Sequence, residues 1–594
     1  MSPSQEYQHR LAARRARHAA LLALDARLSY ARLAVFVAAF LAGTLAWRDL
    51  VNWWWLLAPL ALFLWLVRRH DHAIRDRDEA SRAVAFYERG LARLEDRWAG
   101  GGETGEHFGD PEHLYAADLD LFGRGSLFEL LSIARTQVGE WQLAQWLKNP
   151  APPSDVVERQ AAVAELAPRV DLRERVALAG AAAGASVNGD ALMTWAEQSR
   201  QLPGTVVRAL ALALSGVIVI AAAWWMAGGS GLPLVVIIVI ELLLFSSQRG
   251  RMHAVLHAAG GWSRDLDVLA QVLKRIEAES FTAPPLSALR ARLAAGGVAP
   301  SHAIGRLHRL VEMHDWQHNP FVAVIAVPLL WDVHVAFAME AWRARFGREV
   351  RTWLQSVGEF EAISSLATYR FERPDDPFPT LDDGPHALFE GAGLGHPLLP
   401  VSRMVRNDVS LGAATQLLII SGSNMSGKST LLRTVGVNAV LALAGAPVRA
   451  AALRLSPLAV GATLRIQDSL QEGRSRFYAE ITRIRALADR AGGTPPLLFL
   501  LDELFHGTNS HDRLIGAAGV LRSLLDRGAI GLVTTHDLAL TAVAGELSSR
   551  AVNVHFEDRF EAGEILFDYT MKPGPVTRSN AIALMRAVGL DVPE

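Results

Sequence analysis

The 594-residue chain carries 59 Lys+Arg against 61 Asp+Glu, a formal net charge of -2, 51% hydrophobic residues and no cysteine, at a mean hydropathy of +0.18. The lack of cysteine excludes disulfide scaffolds, cysteine-ligated zinc or iron–sulfur centres and thiol nucleophiles, and the charge balance gives no global electrostatic case for nucleic acid. The length predicts three or four units with ample core, and a hydropathy this high at 20% charge points to membrane-like segments.

Four apolar runs come in pairs, 33–47 with 51–67 and 209–226 with 232–245. Each pair predicts a helical hairpin. Trp47, Trp53, Trp54 and Trp55 sit at the first turn, and Trp224 and Trp225 beside the Gly-rich second, as interfacial aromatics do. All four runs fall short of the ~20 residues usual for a span, so flanking residues must extend them. Arg10, Arg14, Arg15 and Arg17 before the first run, Arg68, Arg69, Arg75 and Arg77 after the second, and Arg200, Arg208, Arg249 and Arg251 around the other pair place both hairpin bases on the cytoplasmic side. The expected location is therefore the cytoplasmic membrane, multi-pass, with most of the chain in the cytosol. The first apolar run begins only at Leu33 and leads into a second, the pattern of an anchor and not of a signal peptide. Glu241 interrupts the fourth run: an intramembrane acid is a functional candidate by default, but its place near the cytoplasmic end favours a water-exposed carboxylate. A fifth run, 321–342, holds Pro328, Asp332, His334 and Glu340 and reads as a buried cytosolic helix.

Residues 86–98 are amphipathic and helical in pattern, followed by the linker Ala99-Gly100-Gly101-Gly102. Helical periodicity also governs 126–200, 262–295 and 302–370, an all-α middle. Pro374-Asp375-Asp376-Pro377-Phe378-Pro379 marks a boundary beyond which apolar strand-like runs alternate with helices. Three units follow: 1–115 with the first hairpin (33–67) and linker, 116–375 as a helical lever with the second hairpin (209–245) inserted, and 376–594 as an α/β domain.

In that last unit a strand-like Gln416-Leu417-Leu418-Ile419-Ile420 runs into Gly422-Ser423-Asn424-Met425-Ser426-Gly427-Lys428-Ser429-Thr430, the G-x-x-x-x-G-K-[ST] pattern in strand-loop-helix context. Such a loop cradles phosphates with backbone N–H groups, Lys428 reaches the β/γ oxygens, and the Ser429 hydroxyl ligates Mg²⁺. The chain has only four lysines, Lys148, Lys274, Lys428 and Lys572, so one of them stands where a point charge is needed. A second apolar strand, 497–501, ends in Asp502-Glu503: Asp502 for the Mg²⁺ shell, Glu503 as general base on the attacking water. A third, 531–535, ends in His536, placed to sense the γ-phosphate. Between them, Gly473-Arg474-Ser475-Arg476-Phe477 predicts a helix N-terminus that can open onto an anion; only in a composite site of two protomers would Ser475 face the nucleotide of the opposing one.

Phosphate loop, Gly-Arg-Ser segment, Asp-Glu strand, the turn Leu504-Phe505-His506-Gly507-Thr508-Asn509 and Thr534-Thr535-His536, in that order and with Glu480, resemble the ABC superclass of ATPases and within it the MutS family. Residues 126–131, 142–147 and 158–160 are similar to the start of that family's helical core. The resemblance covers about 116–590. It implies Mg²⁺-dependent ATP hydrolysis in a dimer that pairs through the ATPase faces, moving helical levers, with double-stranded DNA as the partner clamped in mismatch repair. Departures are Ser423 where repair members carry Pro, and a membrane hairpin where the family has mismatch-reading and connector domains. Phe86-Tyr87-Glu88 is similar to the family's base-stacking motif only by coincidence, and the chain stops soon after Arg578, with little room for extra dimerisation helices. From residue 381 onward 20 Lys+Arg face 21 Asp+Glu, no obvious DNA-binding charge. The alternative is an ABC-type membrane mechanotransducer or transporter component that binds no DNA.

Overall fold

Ser2 opens the first helix: its hydroxyl accepts from the Gln5 N–H while the Gln5 side chain returns to the Ser2 N–H, and Pro3 takes the first helical position. From there Pro3–Trp47 runs unbroken for 45 residues, a rod of roughly 68 Å. The computed structural model of the chain describes all residues except 181–188, 203–204, 247–248, 258–261, 317–318, 424, 466–475, 506–508, 562–563 and 577–594.

The rod turns at 48–56 and returns as the helix Leu57–Leu94. Its second apolar run is thus not helical from its start. Residues 51–56 form the turn, where Asn52 Oδ1 accepts from the Trp54 N–H and a 3₁₀ turn spans Trp53–Leu56. The described residues include two hairpin pairs at the apolar runs, this one and Thr205–Met226 with Leu232–Ser246. By length and composition only Pro3–Trp47 and Val206–Met226, one helix of each pair, suffice to cross a membrane among the described residues; Leu232–Leu244 is apolar but shorter. Phe36, Phe40, Trp54 and Trp65 are exposed along the first pair.

Near its base the rod becomes part of the protein core. Tyr7, Leu11, Phe86 and Tyr87 pack with Ile133, Val170 and Ala177, so Phe86 and Tyr87 are core side chains. Arg93 Nε and Nη2 donate to both oxygens of Glu372 at 2.8 and 2.6 Å, and the Tyr7 hydroxyl donates to the same carboxylate at 3.2 Å. Arg14 and the Tyr87 hydroxyl share Glu174. Glu372 closes the 42-residue helix Trp331–Glu372, the spine of the helical layer, about 63 Å long. Helices Gln137–Lys148, Pro153–Leu166 and Pro300–Trp316 pack along it.

Two sequence readings change here. Residues 321–342 are not one buried helix: a short helix Pro320–Ala326 ends at a turn through 327–330, with Leu330 at φ 51°, before the spine begins. Pro328 and the left-handed residue account for the break. Glu241 is not water-exposed but 3% accessible, with Oε1 lacking a hydrogen-bond partner.

All described strands follow residue 379. β1 (Thr380–Leu381), β2 (Phe389–Leu394), β3 (Asn407–Leu411) and β5 (Ala452–Leu455) form a four-stranded sheet in the order β1-β5-β2-β3. With β4 (Leu417–Ser421), β6 (Ala459–Thr463), β7 (Leu497–Leu501), β8 (Ile530–Thr535), β9 (Ala551–Glu561) and β10 (Glu564–Pro573), the second sheet has the order β10-β9-β4-β8-β7-β6. Only β9–β10 is antiparallel. Every residue of β4, β7 and β8 is buried, as their unbroken apolar runs require of parallel strands covered on both faces. Residues 111–121 also dock on this sheet. The Ala462 N–H donates to Leu114 O, and Asp118 accepts from the N–H groups of Leu464 and Arg465 and from Arg483.

Candidate active site

Register brings the three sequence motifs to one edge. Ser421 at the end of β4 faces Thr535 at the end of β8, and Leu501 of β7 faces Val533. The loop after β4, the acidic pair after β7 and His536 after β8 therefore share the carboxyl edge of a parallel sheet, the place where open α/β folds bind ligands.

The loop after β4 has the backbone its glycines permit. Gly427 holds φ +102°, and a Cβ there would lie 3.1 Å from the Tyr569 ring. Lys428 begins the helix Lys428–Ala444; its Nζ donates to Gly422 O at 2.9 Å and Ser423 O at 2.7 Å. Burial lowers its pKa, and the nearby Glu503, Asp502 and Asp558 oppose that shift. The hydroxyls of Ser423 and Ser426 are buried without a hydrogen-bond partner.

Beyond β7 the chain makes a tight left-handed turn. Glu503 has φ 50° and Phe505 φ 57°, uncommon for non-glycine residues and typical of functional turns. Glu480 accepts the Phe505 N–H. Thr534 organises both acids, its hydroxyl donating to Asp502 Oδ1 and accepting the Glu503 N–H at 3.1 Å. His536 Nδ1 lies 3.5 Å from Glu503 Oε1.

Lys428, Ser429, Thr430, Met425, Gly427 and Glu503 line a cleft of about 560 Å³. Asp502 is not in its wall; its carboxylate is turned to Thr534. Asn424 and Ser475 lie outside the described residues, so their expected contacts have no structural counterpart here.

The opposite wall was invisible in the sequence. It comes from the 394–407 segment, with Leu394, His396, Leu399, Arg403, Val405 and Asn407, and from Phe556 and Tyr569 of the β9–β10 pair. Asn407 joins these pieces, donating to Tyr569 O at 3.0 Å and accepting the Met571 N–H at 2.7 Å. Burial, with Arg433 nearby, pushes the His396 pKa down to about 4. Its Nδ1 accepts the Leu398 N–H at 3.2 Å, so at neutral pH the ring is uncharged with its proton on Nε2. Apolar side chains, a neutral imidazole, a phenol, the Asn407 amide and the Arg403 guanidinium thus share the cleft with the 425–430 loop and its one ammonium. Thr534 belongs to the Thr534-Thr535-His536 run of the sequence, which assigned it no role; its contacts to both acids come from the pairing of β7 with β8.

The residues fit a nucleoside triphosphate with its magnesium. Two orphan serine hydroxyls and a lysine lie in the loop, and the Glu503 carboxylate lines the same cleft. Mg²⁺ bound with a nucleotide takes one or two protein oxygens together with phosphates and water, and the Ser429 hydroxyl at the cleft is of that type.

Comparison with known proteins agrees with this geometry. The family described as MutS domain V matches residues 418–593. Over 201 residues, 33% of this chain, the sequence is 38% identical to "DNA mismatch repair protein MutS 2" of Haloarcula marismortui. The match spans about a fifth of that relative's length, 21%. The likeness to the MutS family is carried by residues 418–593, the part of the chain that this domain matches.

Proposed function

We propose that the chain is a membrane-anchored MutS-like ATPase that couples ATP binding and hydrolysis in a homodimer to movement of its helical layer. The observation that carries this reading is the convergence of Lys428, Ser429 and Glu503 on one cleft at the ends of parallel strands. Bound ATP with Mg²⁺ would supply the phosphoanhydride and neutralise the developing charge. Around it, the 422–430 backbone and the Ser423 and Ser426 hydroxyls hold phosphate oxygens, Lys428 places a fixed cation on them, and Ser429 with Asp502 holds the metal. Glu503 takes the proton of the attacking water, oriented by Thr534 through its backbone and by His536 at 3.5 Å. The mixed wall around His396 and Tyr569, with Leu394, Val405 and Phe556, takes the base.

Anchoring in the cytoplasmic membrane with the ATPase in the cytosol is supported by the two long apolar helices and the arginines at the hairpin bases. The name of the Haloarcula relative supports duplex DNA as the clamped partner. The second reading, a mechanotransducer without DNA, is favoured by the direct bonding of the first hairpin to the Glu372 end of the spine.

Crosslinking of full-length Glu503→Gln protein in membranes with ATP tests dimerisation, and gel shifts of the solubilised protein at several salt concentrations test DNA. A crosslinked dimer with an ATP-dependent, salt-sensitive shift supports the clamp. A dimer with no shift leaves the mechanotransducer, and no ATP-dependent dimer removes both.

A further inference from the structure

The twelve residues from 320 to 331 are all apolar. They fold as the seven-residue helix Pro320–Ala326, a turn, and the first residue of the spine. At about 10 Å the helix is too short to cross a bilayer. Yet its outer face is apolar and uncovered: Val324 is 75%, Ile325 64% and Val327 62% accessible, a contiguous patch of the kind that marks an interaction surface.

Its position says what covers it. The Ser215 hydroxyl donates to Leu329 O at 3.1 Å and lies 3.0 Å from His334 Nε2. Ser215 stands nine residues after Val206 and eleven before Met226 in the apolar helix of the second hairpin, about 13 and 16 Å from its two ends. The turn is therefore tied to the middle of that helix.

Non-helical backbone at membrane depth needs every polar group satisfied. Here the Val327 N–H donates to Ala323 O, the Leu329 N–H to Ile325 O, the Leu330 N–H to Val327 O and the His334 N–H to Leu330 O, while Leu329 O takes the Ser215 hydroxyl. The ionisable groups at the base are paired, His314 Nδ1 with Asp332 Oδ1 at 3.0 Å, as such groups are near hydrocarbon.

We propose that residues 320–330 are a re-entrant element that dips into the bilayer beside the second hairpin, its Val324, Ile325 and Val327 face meeting lipid acyl chains. This rests on the membrane reading of that hairpin. It also makes the spine a single helix running from the bilayer to Glu372 at the ATPase boundary, so a tilt at one end is felt at the other.

The cysteine-free chain allows single-site labelling. Full-length Ile325→Cys, Val324→Cys, Ile220→Cys and Arg485→Cys proteins, each carrying an environment-sensitive fluorophore, are placed in phosphatidylcholine nanodiscs doped with brominated-acyl phosphatidylcholine. Ile220 lies in the hairpin helix, 70% accessible; Arg485 is on the cytosolic surface, 80% accessible. The expected result is lipid quenching at 324 and 325 within about twofold of that at 220, with iodide quenching only at 485. Iodide quenching at 325 equal to that at 485, with 220 lipid-quenched, overturns the proposal and leaves the anchor intact. Shielding of 325 from both quenchers also overturns it, pointing to a second copy of the chain as the cover. Failure of lipid quenching at 220 overturns the membrane reading and this one together.

Discussion

The Val401 N–H donates to the Asp96 carboxylate at 3.1 Å, joining the 394–407 segment, which walls the cleft, to the foot of the N-terminal hairpin. Asp96 lies two residues past the helix Leu57–Leu94, holds φ 55°, and its other oxygen accepts from Arg373 Nη2 at 3.0 Å, one residue past the spine. One carboxylate thus touches hairpin, spine and the 394–407 segment. Any shift of that segment on closing over a ligand would pull on the hairpin.

Asp96→Ala should cost about 1–2 kcal/mol, from two charge-assisted bonds and from alanine's poor tolerance of a left-handed backbone. Asp96→Asn keeps an acceptor and the tolerance, so it should lose less than half as much. Denaturant midpoints of the two variants measure the difference; equal losses would mean that the carboxylate's bonds carry no weight.

Glu372→Gln leaves the buried Arg93 guanidinium without its bidentate partner. Breaking one side of a buried pair costs about 3–5 kcal/mol, whereas replacing both partners by apolar groups costs far less. Thermal melts should therefore place Glu372→Gln well below the double variant Glu372→Leu/Arg93→Met, and the reverse order would contradict the assignment.

Glu140 sits beside Glu361 and Glu103, and burial first, then those two charges, pushes its pKa up to about 7; burial does the same to Glu361. A carboxyl with a raised folded pKa binds more protons folded than unfolded between pH ~4.5 and ~7. Its stabilising contribution is present below that window and lost as pH rises through it. Glu140→Gln should flatten this decline and gain about 1–3 kcal/mol at pH 8 with little change at pH 4.5. Urea titrations across that range decide it; parallel curves for the two proteins would remove Glu140 as a cause.

Gly427→Ala puts a Cβ 3.1 Å from Tyr569 at φ +102°. The strain, about 1–3 kcal/mol, falls on the loop itself, so nucleotide affinity should drop at least about tenfold while the far-ultraviolet circular dichroism stays unchanged. Wild-type affinity in a nucleotide titration would show that the loop tolerates another backbone.

What the sequence disclosed was contiguous. The loop at 422–430, the acids after 497–501 and the histidine after 531–535 each end an apolar strand, and parallel pairing alone gathers them. His396, Asn407 and Tyr569 come from segments up to about 170 residues apart on no shared period, and only the docking of the small sheet on β9–β10 makes them one wall. Composition misled at Glu241 and at 321–342: a carboxylate near a helix end reads as solvated and an interrupted run as core, yet packing buried the first and exposed Val324 and Ile325 in the second. Asp96 carried no signal, being one acid among many at a helix end.

The central claim is hydrolysis at this cleft with Glu503 as base. Steady-state phosphate release and ATP binding, measured together on full-length protein in nanodiscs with Mg²⁺, test it most directly. Wild type should turn over, and Glu503→Gln should bind ATP within about threefold of wild type while turnover falls ~100-fold or more. Wild-type turnover in Glu503→Gln, or bound ATP with no turnover in wild type, would contradict it.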